Sequence, residues 1–138
     1  MKQRRDKMSS ILAESKNIIA INEYEKVFLN FKNSNKRVYI GDFYGNPQVA
    51  VISKDESFCV MAGCGLIIYY IKEPFEEFSY NELTSQWKEL FREEGKEWWI
   101  EDVAVIDNST IIFTVEEDSE NGGRYKLNID DMKLIKFT

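Results

Sequence analysis

The chain of 138 residues has no histidine, only two cysteines and two prolines. Without imidazole it lacks the commonest general base and the commonest metal ligand. A serine or cysteine nucleophile would then need a lysine or amine as its base. Ser15-Lys16 and Ser53-Lys54 are neighbours in sequence, which does not aim one side chain at the other. Two cysteines cannot staple a domain of this length, and a zinc site takes about four ligands. Cys59 and Cys64 lie five apart in an apolar hairpin whose turn is Gly63-Cys64-Gly65. A disulfide across that hairpin is open to them, but packing as two small buried hydrophobes is favoured.

Long apolar runs are missing as well. The longest, from Val60 to Ile71, has 12 residues and includes Gly63 and Gly65, against roughly 20 for a membrane-spanning helix. The basic start is followed by no continuous apolar stretch, because Glu14, Ser15, Lys16 and Asn17 interrupt it. No signal peptide and no membrane partner are expected, and a cytoplasmic location follows.

What is present suffices for a core. Apolar residues make up 43% and aromatics 14%, a globular composition at a length that suits a single domain, 1–138. Lys and Arg number 18 against 24 Asp and Glu, a formal charge of −6. That balance argues against nucleic acid, whose phosphates need concentrated positive charge. The charge is uneven: residues 1–40 carry a net +5 and residues 41–138 a net −11. An acidic body with a basic N-terminal segment points to a partner-binding surface or to self-complementary packing.

Periodicity predicts an α+β fold. Tyr24, Val27, Phe28 and Phe31 follow the i, i+3, i+4, i+7 spacing, so residues 1–35 read as a helical segment, with Asn22 and Glu25 as a capping pair. From Arg37 the period changes to two, giving a four-strand meander over about 37–72. Ser79 with Glu82, then Leu83, Trp87, Leu90 and Phe91, predict a central helix over about 80–94 that Gly95 ends. A second four-strand meander is expected over about 97–137, with Asn121-Gly122 as its strongest hairpin signal. The tetrapeptide VAVI occurs at 49–52 and again at 103–106, and a duplicated blade-like unit is one reading of it.

No motif names a reaction. Carboxylate pairs such as Glu76-Glu77, Glu93-Glu94, Glu101-Asp102, Glu116-Glu117-Asp118 and Asp130-Asp131 are what 24 acids produce by abundance. Adjacent residues of a strand also point to opposite faces. The acidic loop 117–123 lacks the spacing of a calcium-binding EF-hand loop. The glycine pairs lack the lysine and helix start of a phosphate cradle. No metal, cofactor or catalytic residue is expected, and the chain reads as a non-enzyme. Trp98-Trp99 is the pair of interest: on a strand one ring enters the core, while the other meets solvent, a covering helix or a partner.

Two stretches, GDFYGNPQVAVISKDESFCVMAGCGLIIYYI (41–71) and WWIEDVAVIDNSTIIFTVEE (98–117), resemble the small acidic bacterial immunity proteins of contact-dependent inhibition and related polymorphic toxin systems. The resemblance implies a cytosolic protein that binds and blocks one cognate toxin domain, often a nuclease. That family shares no active site, so no residue carries over from it. A nuclease presents a basic cleft, and an acidic body suits it. The contact candidates are the strip Glu93, Glu94, Glu97, Trp98, Glu101 and Asp102, and the loop residues Glu116, Glu117, Asp118 and Glu120. A scaffold that forms homodimers through its sheet edges, and a ligand-binding or carboxylate-based enzyme domain, are the alternatives.

Overall fold

The computed structural model describes residues 9–138. They form three antiparallel four-stranded meanders in chain order and, among the described residues, no helix. The first sheet is β1 (Ser9–Glu14), β2 (Ile18–Glu23), β3 (Lys26–Phe31) and β4 (Arg37–Asp42). The second is β5 (Val49–Ile52), β6 (Phe58–Gly63), β7 (Gly65–Tyr70) and β8 (Trp87–Leu90). The third is β9 (Ile100–Asp107), β10 (Thr110–Val115), β11 (Gly123–Asn128) and β12 (Lys133–Lys136).

The sheets stack with the second in the middle, and its strands alternate between two cores. Cys59, Met61, Ile67 and Tyr69 face the first sheet and meet Ala20, Leu29, Val38 and Ile40. Phe58, Val60, Ala62, Leu66 and Ile68 face the third sheet and meet Ile111, Phe113, Tyr125 and Leu127. A strand covered on both sides reads as an unbroken apolar run, which accounts for the stretch from Val60 to Ile71.

The fold is therefore all-β, and the α+β expectation is corrected in three places. The helical segment 1–35 is β1 to β3 over its described part; residues 1–8 lie outside the described residues. There Val27 and Leu29 point inward and Phe28 outward, the period of two overriding the coincident helical spacing. Asn22 caps no helix. Buried in β2, it accepts from Ser10 Oγ at 2.6 Å and donates to the Tyr24 carbonyl at 3.0 Å, shaping the β2–β3 turn, where Tyr24 has a φ of 57°.

The central helix 80–94 is absent too. Residues 71–86 form an irregular connection organised by buried Gln86, which donates to the carbonyls of Tyr70 and Lys72 and accepts from Glu76 N. Trp87 and Leu90, one helical turn apart in spacing, lie on opposite faces of β8, one in each core. The meander placed at 37–72 is also redrawn: β4 closes the first sheet, and the second sheet spans Val49 to Leu90. VAVI at 49–52 is the whole of β5, and at 103–106 it lies within β9. Each opens a meander.

The Glu56 carboxylate joins the first two sheets. It accepts from Ser15 Oγ, from Asn17 N at 2.8 Å and from Asn17 Nδ2 at 2.9 Å. The Ser15 and Asn17 hydrogen bonds hold its carboxyl below the ordinary value of 4.5. A depressed carboxylate adds stability that is complete above its unfolded pKa and lost as pH falls through the folded one. Glu56→Gln is expected to cost about 1 kcal/mol near neutrality, a figure reduced by solvent screening at this half-exposed site. Urea titrations from about pH 6 down to about pH 3 should show that difference shrinking; a constant difference would contradict the clasp.

Candidate functional site

Strand direction assigns every connection to one of two ends of the stack. The turns at 24–25, 43–48 and 64 and the loops 91–99 and 116–122 share one end; 15–17, 32–36, 53–57, 108–109 and 129–132 share the other, where the long connection 71–86 also starts and finishes, its Tyr80-Asn81 tip reaching Glu89 and Arg92. Connections at the first end carry eight acids (Glu25, Glu93, Glu94, Glu97, Glu116, Glu117, Asp118, Glu120) and two bases, Arg92 and Lys96. Those at the opposite end carry eight acids (Asp55, Glu56, Glu73, Glu76, Glu77, Glu82, Asp130 and Asp131) but five lysines (Lys16, Lys32, Lys36, Lys54 and Lys72), so the first end is the one with few bases. Sequence spacing does not reveal this local excess of acid over base, because the two main acidic segments lie on either side of β9 and β10.

Arg92 organises the acidic end. Its Nη2 donates to the Asp42 carbonyl at 2.7 Å and its Nη1 to the Cys64 carbonyl at 3.3 Å. Its Nε lies 3.0 Å from Glu89 Oε1, and Glu89 Oε2 accepts from Asn81 N at 2.6 Å. The Phe43 and Tyr80 rings lie 4.9 and 5.7 Å from the guanidinium. One side chain, 12% exposed, thus ties together the end of β4, the β6–β7 turn and β8. Glu25 adds a second tie: its carbonyl accepts from Phe43 N at 2.9 Å and its carboxylate from Gly45 N at 2.8 Å.

The residues that the sequence points to fall into four groups. Glu93 and Glu94 line a cleft of ≈ 440 Å³ with Tyr80, Asn81, Phe91 and Arg92. Glu97, Trp98 and Glu120 line a groove of ≈ 350 Å³ beside it with Lys96, Ser119 and Asn121. Glu116, Glu117 and Asp118 are exposed on the same loop as Glu120. This loop is fastened to the 91–99 segment by Glu116 N donating to the Trp99 carbonyl at 2.8 Å. Glu101 and Asp102 stand apart, exposed at the start of β9. Asp102 pairs with Thr114 on the outer face of the third sheet.

Of the two tryptophans, Trp98 is half-buried, stacked on Phe91 at 4.1 Å and 8° and tilted against Tyr125 at 4.9 Å. The expected covering helix is replaced by Phe91 itself. Trp99 is the ring that reaches solvent, at 43% exposure. Exposed Tyr24, Tyr44 and Tyr80 also belong to this end, and sequence reasoning missed them.

Both cysteines are free and buried. Burial pushes the Cys59 thiol up to about 12 and raises that of Cys64, so both stay protonated at neutral pH. Among the described residues no three acids or cysteines converge as a metal would require. The chain matches no family model and no curated protein sequence.

Proposed function

We propose that this chain is an immunity-type binding protein of the bacterial cytoplasm, which neutralises a cognate toxin domain by covering its basic active-site or substrate surface. The observation that carries the reading is the uncompensated charge of one end, whose connections among the described residues hold eight acids against Lys96 and an Arg92 already spent on internal bonds. A concentrated negative field speeds encounter with a cationic cleft and orients it. The resemblance of residues 41–71 and 98–117 to immunity proteins points the same way. A nuclease is the natural target, since its cleft is shaped to hold phosphates.

Purified protein and the product of the neighbouring gene provide the test. Binding is expected, with association slowing about tenfold on going from low to physiological salt. Glu97→Lys with Glu120→Lys should weaken it chiefly through the association rate. A neighbour that neither binds nor harms cells when expressed alone would overturn the reading.

A further inference from the structure

Among the described residues, the exposed tyrosines and tryptophan are Tyr24 at 60%, Tyr44 at 78%, Tyr80 at 60% and Trp99 at 43%. All four border the acidic end. Tyr24 lies on the β2–β3 turn, Tyr44 on the β4–β5 connection and Trp99 just before β9; Tyr80 is held to this end by its ring against Arg92. The opposite end exposes no large aromatic among the described residues.

We propose that Tyr24, Tyr44 and Tyr80, with Trp99, anchor a docking face for a cationic protein surface, the surrounding acids steering the partner and the aromatic rings holding it. This rests on the binding reading above and adds the residues that hold the complex together. Tyrosine and tryptophan are enriched at interface centres because they cover much area with few rotors to freeze, while rim charges mainly set the encounter rate. The partner's sign follows from the charges bordering Tyr24 and Tyr80: Glu23, Glu25, Asp42, Glu93 and Glu94 outnumber Lys26 and Arg92, and Arg92 is paired with Glu89.

The face is also pre-formed. Arg92 fixes Asp42 and Cys64, and Glu25 fixes Phe43 and Gly45. The loops bearing Tyr24 and Tyr44 are therefore joined before any partner arrives, which lowers the ordering cost of binding. Exposed Ile11, Leu83 and Ile106 stand singly in sequence, and the C-terminal group of Leu134, Ile135 and Phe137 has the opposite character. It lies at an edge strand flanked by Lys133 and Lys136, with Arg124 over the Phe137 ring at 5.1 Å, and edge lysines discourage pairing.

The experiment is a titration of the neighbouring gene's product with the full chain and with a triple variant, Tyr24→Asn, Tyr44→Ser and Tyr80→Ser. Asparagine at 24 suits the φ of 57°, and three exposed side chains leave the core intact, which a melting curve checks. The triple variant is expected to bind at least about 30-fold more weakly, mainly through faster dissociation. Ile135→Ser should bind as the unaltered chain does. Undiminished binding by a folded triple variant would overturn this inference and leave the immunity reading standing. Failure of the unaltered chain to bind would overturn that reading, and this inference with it.

Discussion

Arg92→Ala is expected to destabilise the fold by about 3–5 kcal/mol, the range for removing one partner of a buried pair. At this chain length that corresponds to a loss of about 10–20 °C in melting temperature. The side chain is 12% exposed and makes three kinds of contact at once, to Glu89, to two backbone carbonyls and to the rings of Phe43 and Tyr80. Its loss leaves the Glu89 carboxylate enclosed without a cation and the Asp42 and Cys64 carbonyls without their donor. Lysine is a poor substitute, because one ammonium cannot reproduce the guanidinium fork. Arg92→Met combined with Glu89→Leu should be less damaging than Arg92→Met alone, since it removes both charges together. Urea titration measures all of these; a cost below about 1 kcal/mol for Arg92→Ala would contradict the assigned role.

Gly65→Ala is expected to be comparably damaging, and for a linked reason. Gly65 has a φ of 87°, and a Cβ there would lie 2.1 Å from Arg92 Cγ and 3.1 Å from the Leu90 carbonyl. The left-handed backbone alone costs about 1–2 kcal/mol for a residue with a side chain. The larger part of the cost arises because Arg92 is held at both ends of its guanidinium and cannot swing aside. The two effects should therefore couple. In an Arg92→Ala background, where Cγ is gone, Gly65→Ala should cost only its backbone share, and a double-mutant cycle should show at least about 1 kcal/mol of interaction. Additive costs would mean that the clash is relieved elsewhere.

The parts of the fold that sequence reveals are those where one pattern has no rival. The short polar connections after Ile52 and after Asp107 mark real turns. The Asn121-Gly122 signal falls in the connection between β10 and β11, where a Cβ on Gly122 would sit 2.6 Å from the carbonyls of Glu116 and Glu117. The helices failed because β3 and β8 carry large residues at spacings that fit either period. In β3 the outward Phe28 is covered by Arg37, 3.8 Å from its ring, so an apolar residue stands on the solvent side and blurs the alternation. In β8 the two apolar residues, Trp87 and Leu90, lie on opposite faces with Lys88 and Glu89 between them, so no alternation exists to be read.

Legibility of the candidate site followed the same rule. Acids adjacent in sequence, such as Glu93-Glu94 and Glu116-Glu117, are visible as clusters. That Glu97 and Glu120 line one groove depends on the bond from Glu116 N to the Trp99 carbonyl, a long-range fact. Tyr24, Tyr44 and Tyr80 lie 20 and 36 residues apart and meet only through Glu25 and Arg92. Tyr24 in particular fits a helix face by its spacing to Val27, Phe28 and Phe31, which conceals its exposure at a turn.

The proposed partner, a cationic protein surface, should meet one end of the stack and leave the other free. Hydrogen–deuterium exchange of the chain, free and bound to the neighbouring gene's product, measures this most directly. Slowed exchange should appear at residues 24–25, 43–48, 80–81, 91–99 and 116–122, with the connections 15–17, 32–36, 53–57, 108–109 and 129–132 unchanged. Slowing confined to 15–17, 32–36, 53–57 and 129–132 would contradict it.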